Sequence, residues 1–132
     1  MKFKKIYIYL LLQFFFILKI YANEVEFEAS KIDIVENGNL ILAYNSKTKI
    51  PTDRVTIDSN RAEYNKEKDI VKFIDDVYFY DSENNTIIEG DEIIYNRKTN
   101  LIYSIGKTKI NLDNKYEVNS ENIYFERIQK KI

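Results

Sequence analysis

Three carboxylates near the middle of the chain, Glu89, Asp91 and Glu92, are the residues whose types and spacing come closest to a catalytic set. Residues at positions i and i+2 of an extended strand share a face, so Glu89 and Asp91 would lie side by side. Carboxylates about 5–9 Å apart can cleave glycosidic bonds. However, acidic residues occur in the predicted turns throughout, and the chain has no tryptophan to stack on a sugar. The simpler interpretation is that Asp91 hydrogen-bonds backbone groups at a turn.

The composition excludes several other kinds of site. The chain has no cysteine and no histidine. It can therefore form no disulfide, no thiolate nucleophile and no cysteine- or histidine-ligated zinc site, and it lacks the commonest general base. The acid-rich turns repeat no ligand spacing typical of a calcium loop. We therefore expect a protein that is not an enzyme, with no cofactor and no metal.

Length and charge limit the remaining classes. A chain of 132 residues suits one domain. Its net charge of -1 argues against a nucleic-acid partner, because neutralising phosphates requires an excess of basic residues.

The first 22 residues have the pattern of a secretory signal peptide. Lys2, Lys4 and Lys5 form a basic start, an apolar run covers residues 6–20, and Ala22 offers a small residue for cleavage. The pattern predicts a signal helix over residues 1–22 and a mature domain over residues 23–132, outside the cytoplasm. The alternative is an uncleaved anchor, but a membrane span needs about 20 apolar residues.

The rest of the chain is a repeat of about thirty residues, a period typical of stacked structural units. In its two clearest copies, Tyr64 aligns with Tyr95 and Asn65 with Asn96. A fainter copy precedes them, and another begins at Ser120 and is incomplete.

Within each copy, apolar and polar residues alternate over about four to six positions, the pattern of half-buried strands. Asn37-Gly38 predicts a hairpin. The single proline, Pro51, predicts an interrupted ladder and makes residues 46–53 the loosest segment. The pattern predicts an all-β fold of about a dozen short antiparallel strands in consecutive hairpins.

Connections between these strands are marked by small and turn-forming residues. Gly90 and Gly106 are expected at sharp corners between strands, where a small residue or a positive φ is needed. Asp75-Asp76 is expected to form a turn.

The alternation also sorts residues into two faces that would pack as a sandwich or a rolled sheet. Lys72 and Lys109 fall on the polar face. The apolar face contains Val55, Ile57, Val71, Phe73, Val77, Phe79, Ile88, Ile110 and Leu112.

Several of these segments resemble a known family. Val55-Thr-Ile-Asp-Ser-Asn60, Ile70-Val-Lys-Phe73, Val77-Tyr-Phe79 and Thr86-Ile-Ile-Glu-Gly-Asp91 follow one another as in the OstA-like repeat of lipopolysaccharide transport proteins, LptA and the periplasmic N-terminal domain of LptD. The resemblance extends from about Glu24 to the end of the sequence. Asp75-Asp76 departs from the Gly-Asn that the family prefers, and the absence of cysteine excludes disulfide-based maturation of this segment.

The resemblance implies a twisted β-jellyroll with open edges, formed by two sheets in a V. It implies a periplasmic location, with acyl chains of lipid A in the apolar groove and membrane contact only through partner proteins. The nine apolar-face residues would line that groove, with Phe73 and Phe79 foremost. Two forms stay open: a free-standing bridge protein, or the N-terminal part of a larger outer-membrane assembly protein. The alternative class is a structural β-repeat module of a secreted or surface protein that binds only protein partners.

In this family, neighbouring jellyrolls pair through edge strands. Because the last repeat copy is incomplete, residues 122–127 should form an edge strand with unpaired backbone groups. The residues expected to mediate assembly are Asn122, Ile123, Tyr124 and Phe125.

Overall fold

The computed structural model describes residues 21–22 and 25–127. This part of the chain is almost entirely β-strand, and single turns of 3₁₀ helix occupy Glu36–Gly38 and Pro51–Asp53. The strands are β1 (Tyr21–Ala22), β2 (Val25–Glu28), β3 (Lys31–Val35), β4 (Leu40–Ile50), β5 (Val55–Asn65), β6 (Ile70–Asp81), β7 (Thr86–Asn96), β8 (Leu101–Leu112), β9 (Tyr116–Glu121) and β10 (Tyr124–Glu126). The all-β prediction is confirmed. Apart from β1, the predicted signal helix lies outside the described residues, and within them no helix is long and apolar enough to cross a membrane.

All strands belong to one antiparallel sheet in the order β1-β2-β4-β5-β6-β7-β8-β10, with β3 pairing with β4 and β9 with β8. The turns repeat the same chemistry in the two clearest copies: the side chain of Asn65 accepts the backbone N–H of Lys68, and that of Asn96 accepts the N–H of Thr99. Asparagine favours such turns because its side chain mimics a backbone acceptor. The hairpin predicted at Asn37-Gly38 is confirmed by the pairing of β3 with β4.

The prediction of a dozen short strands is wrong, because pairs of them are single strands that bend. Strands β4 to β8 are each 11 or 12 residues long. Near its midpoint β6 shifts register between Ile74 and Val77, and Asp75 and Asp76 there have φ of 62° and 50°. They form a bulge rather than the predicted turn. A bulge bends a strand without reversing it, and aspartate tolerates positive φ better than most residues.

The bends of adjacent strands lie side by side and form a line across the sheet. The Asn45 amide donates to Ser30 Oγ at 3.1 Å, and the Gly106 N–H donates to Asn122 Oδ1 at 2.9 Å. We call this the corner line; it consists of Ser30, Asn45, Asn60, Asp76, Asp91, Gly106 and Asn122.

The corner line divides the sheet into two halves. Half-sheet A contains β3, residues 40–44, 61–65, 70–74, 92–96 and 101–105, and β10. Half-sheet B contains β1, β2, residues 46–50, 55–59, 77–81, 86–90 and 107–112, and β9.

The two half-sheets fold over and face each other. Phe79 of half-sheet B lies 6.5 Å from Phe73 and 5.7 Å from Tyr95 of half-sheet A, measured between ring centroids. Phe27 and Tyr64 meet across the same space at 6.3 Å. These edge-on and tilted aromatic contacts fill the interior. The predicted jellyroll of two packed sheets is confirmed.

Small residues allow the half-sheets to converge at the corners. A Cβ on Gly90 would lie 3.3 Å from Thr108 Oγ1 and 3.4 Å from the carbonyl oxygen of Lys107, whereas Gly106 has a φ of 87°. The two glycines lie at corners, as predicted, but within β7 and β8 rather than between strands. The other small buried residues beside the corners are Ala43, Ser46, Ser59, Ala62, Ser104 and Thr108.

The segment predicted to be loosest is instead well packed. Residues 46–50 complete β4 and pair with both β2 and β5. Pro51 begins a 3₁₀ turn beyond the ladder, so it ends the strand without removing a ladder hydrogen bond. Asp53 at the end of that turn is buried.

Candidate functional site

The nine predicted apolar-face residues come together between the half-sheets. Eight belong to the buried core, and Leu112 packs against that core while partly exposed. Lys72, which the alternation assigned to the other face, projects outward and pairs with Glu92 at 3.0 Å. The predicted separation of faces is therefore confirmed.

Other core residues were missing from the predicted set. Tyr64 and Tyr95 are both fully buried, and their alignment in the repeat was a signal for an equivalent interior position. Other large core side chains that were missed are Phe27, Ile41, Ile50, Ile93 and Ile102, which continue the same alternation.

The inner face continues past this core to one edge of half-sheet B. In the ladder between β8 and β9, Val118 lies opposite Ile110 and Tyr116 opposite Leu112. Directly opposed residues of antiparallel strands share a face. Val118 and Tyr116 are nevertheless 45% and 68% exposed. The apolar inner face is therefore open to solvent at β9.

The same face is also open at the opposite edge, on half-sheet A. Ile34 of β3 lies opposite the buried Ile41 and is 53% exposed. The apolar interior thus extends across the whole sheet and is exposed on edge strands at both sides.

The edge predicted at residues 122–127 is present. Asn122 lies on the corner line, and the Ile123 N–H donates to Ser104 Oγ at 3.0 Å. Tyr124 and Phe125 belong to β10, whose only strand partner within the described residues is β8. Sequence reasoning missed that β9 is a second edge strand, also paired only with β8 among those residues.

A buried polar cluster lies at the strand ends farthest from the corner line. The Arg127 guanidinium donates to Asp81 Oδ2 at 2.7 Å, to the Tyr95 hydroxyl at 2.8 Å and to the Asp53 carbonyl oxygen at 2.6 Å. Asp53 Oδ2 accepts the Tyr95 hydroxyl at 2.8 Å and Arg97 Nε at 3.1 Å. We call these five residues the rim cluster.

The surroundings of the rim cluster favour the charged forms of Asp81, Arg97 and Arg127. Burial alone would raise the pKa of Asp81, but hydrogen bonds from Arg127 and Asn84 outweigh burial, and this pKa lies below its ordinary value. Burial opposes the charge on Arg127 and Arg97, yet their carboxylate partners hold both pKa values above the ordinary range. Burial, followed by the charge of Asp53, raises the pKa of Tyr95, so its hydroxyl stays protonated.

No rim-cluster residue was predicted as functional. The sequence pattern places Arg127 on the exposed edge, but this residue continues the alternation of Ile123 and Phe125 and is buried. That alternation was the available signal. The buried position of Asp53 was not predicted, because Pro51 indicated a loosely packed segment.

The three carboxylates considered as a catalytic set occupy different structural settings. Glu92 pairs with Lys72. Glu89 and Asp91 line an outward-facing depression of about 620 Å³ together with Lys107 and Lys109. Asp91 lies at a corner within β7 rather than in a turn. Among the described residues, no group of three acidic side chains could hold a metal ion.

The geometry defines the structural class of the protein, which is an open-edged antiparallel β-jellyroll with an apolar interior that reaches both edges. The sequence profile described as "LptA/(LptD N-terminal domain) LPS transport protein" matches residues 18–101. The chain belongs to this family of transport proteins.

A solved structure shows the same fold. It is LptH, "the LptA homologous periplasmic component of the conserved lipopolysaccharide transport device from Pseudomonas aeruginosa", with a TM-score of 0.69 and 13% identity over 77% of this chain and 75% of that one. No curated protein matches the chain.

Proposed function

We propose that this chain is a periplasmic module, exported by a signal peptide over residues 1–22, that binds lipopolysaccharide and carries its lipid A acyl chains between the half-sheets. The observation that carries the proposal is the apolar inner face, which emerges at Val118 and Tyr116 on one edge and at Ile34 on the other. Exposing an acyl chain to water costs about 0.8 kcal/mol of free energy per CH₂ group. A continuous apolar surface across the module lowers that cost along the whole route.

In this proposal the nine inner-face residues form the walls of the path. Phe73 and Phe79 lie at its centre, because their rings meet across the two half-sheets at 6.5 Å. Ile110 and Leu112 connect the centre to the exposed surface of β9. The lipopolysaccharide sugars would remain outside, since the interior offers them no polar surface comparable in size.

The open edges are the proposed sites for neighbouring jellyrolls. The Asn122 N–H donates to a carbonyl oxygen of β8. Every second residue of β9, counted back from Asn122, also directs its backbone groups toward β8. The alternation therefore directs the N–H groups of Glu117, Asn119 and Glu121 outward. β-augmentation of such an edge gives specific association through backbone hydrogen bonds. Strand β10, with Tyr124 and Phe125, would extend the pairing on half-sheet A.

One observation favours the structural-module alternative. Ile57, Val71, Phe73 and Phe79 have no exposed surface, so the centre of the interior is closed as the molecule stands. A purely structural repeat that binds only proteins through its edges would have the same closed centre.

Photocrosslinking with purified protein separates the two functions. A photoreactive residue at Val118 faces the inner surface, whereas one at Asn119, the next residue, faces outward. We expect a lipopolysaccharide adduct at Val118 and none at Asn119. Equal adducts at both positions, or none at either, would contradict lipid binding on the inner face and favour the structural module.

A further inference from the structure

We propose that the rim cluster is a latch that holds the two half-sheets together and opens to admit an acyl chain. The inference rests on the proposed function, because it concerns how lipid reaches the closed interior. It assigns a role to Arg127, Asp81, Tyr95, Asp53 and Arg97 that is separate from the apolar walls.

The interior has no free entrance at its centre. Phe73 and Phe79 are in contact across the half-sheets and are fully buried. An acyl chain can lie between them only if the half-sheets move apart. Protein interiors are packed too densely to take up a chain without such a movement.

The position of the rim cluster is that of a closure between the half-sheets. The corner line joins the half-sheets covalently along one side, because strands β4 to β8 run through it. On the far side, the contacts described above are made by the rim cluster. Arg127, which follows β10 of half-sheet A, reaches Asp81 at the end of β6 in half-sheet B. Arg97 of the β7–β8 turn reaches Asp53 of the β4–β5 turn in the same way.

The polar chemistry of the rim cluster also favours reversible opening. When the rim opens, every group of the cluster can exchange its protein partner for water, so little hydrogen bonding is lost. The attraction within a buried ion pair is largely offset by the dehydration of its charges. Opening an apolar contact would instead leave hydrocarbon in water with no replacement. A polar closure is thus suited to reversible opening, and the acyl chain then covers the apolar surface that becomes exposed.

The latch is tested with spin labels, which is simple because the chain has no cysteine. Lys98, in the turn that ends half-sheet A, and Lys115, in the turn that ends half-sheet B, are exposed. We call the distance between labels at these two positions the rim distance. We expect it to increase when purified lipopolysaccharide is added. A control pair at Glu67 and Lys98, both in half-sheet A, should keep its distance.

The variants Asp81→Asn and Arg127→Gln should lengthen the rim distance without lipid and accelerate lipopolysaccharide uptake severalfold. Lys72→Gln, which breaks a partly exposed pair on the outer face of half-sheet A, should change neither. Asp81→Asn retains the size of the side chain, and circular dichroism checks that each variant is folded.

The outcomes distinguish the two proposals. If lipopolysaccharide crosslinks at Val118 while the rim distance of the wild-type protein stays constant, the latch is wrong and lipid binding stands. If no crosslink forms, the proposed function itself fails, whatever the rim distance does.

Discussion

Arg127 and Asp81 form a fully buried ion pair although 46 residues separate them along the chain, with Nε and Oδ2 2.7 Å apart. Their side chains are 0% and 1% exposed. The pair joins the segment after the last described strand to the outer end of half-sheet B. Closure of the jellyroll therefore depends on a residue that lies beyond its last described strand.

Removing the cation of this pair should destabilise the protein. Arg127→Met leaves Asp81 as an uncompensated buried charge, which typically costs about 3–5 kcal/mol. We expect a loss of that size in the free energy of unfolding, measured by urea denaturation. Lys72→Met is the matched control, because the partly exposed surface pair with Glu92 should contribute about 0–1 kcal/mol. Equal losses in the two variants would show that burial of the Arg127 pair has no energetic consequence.

The stability of the fold should also decrease in acid. Because the folded-state pKa of Asp81 lies below its ordinary value of 3.8, the unfolded chain takes up the proton first as the pH falls. The stabilisation is complete above about pH 5 and is lost as the pH falls through the folded pKa. Arg127 is the charged partner of Asp81, and Glu83 lies 3.5 Å from the same guanidinium.

The measurement is the urea midpoint between pH 7 and pH 3 for the wild type and Asp81→Asn. Other carboxylates contribute to both proteins, so the difference between the curves isolates Asp81. We expect the two curves to approach each other as the pH falls. A constant difference across this range would contradict the prediction.

Adding a methyl group at Gly90 should lower the stability of the fold, because the corner has little space for it. The new Cβ would meet Thr108 Oγ1 at 3.3 Å and a backbone oxygen at 3.4 Å. Overpacking of this kind typically costs about 1–3 kcal/mol. In Gly38→Ala the added atom meets nothing within 4 Å, and only its φ of 90° is unfavourable. We expect Gly90→Ala to lower the thermal midpoint more than Gly38→Ala, and the reverse order would argue against close convergence at the corners.

Much of this architecture follows from period-two alternation. That pattern located the inner face from Val55 to Leu112, because each side of a strand contacts a different environment. It failed at Asp75-Asp76, where the residues that form a bulge are the same ones that form a turn. The residue types distinguish a bulge or a turn from a regular strand. They do not distinguish a bend in a strand from a reversal of the chain.

The rim cluster was unpredictable for a different reason. Asp53, Asp81 and Arg127 are far apart in sequence and each resembles an ordinary charged residue in a turn or at an edge. Only the folding of one half-sheet over the other brings them into contact. The alternation through Arg127 indicates which way it faces, but it does not identify its partners.

Edge-strand association can be tested without disturbing the internal ladder. Asn119→Pro removes an N–H that the alternation directs outward, whereas Val118→Pro removes one that is directed toward β8. We expect Asn119→Pro to abolish concentration-dependent association in sedimentation experiments while leaving the thermal midpoint nearly unchanged. Val118→Pro should lower that midpoint. Persistent association of the Asn119→Pro variant would exclude β9 as the docking edge.

The central claim, that acyl chains travel between the half-sheets, is tested most directly by photocrosslinking in cells. A photoreactive residue at Phe73 lies on the inner face, and one at Lys72 lies on the outer face of the same strand. We expect a lipopolysaccharide adduct at Phe73 and none at Lys72. A folded, exported protein with no adduct at either position would contradict it.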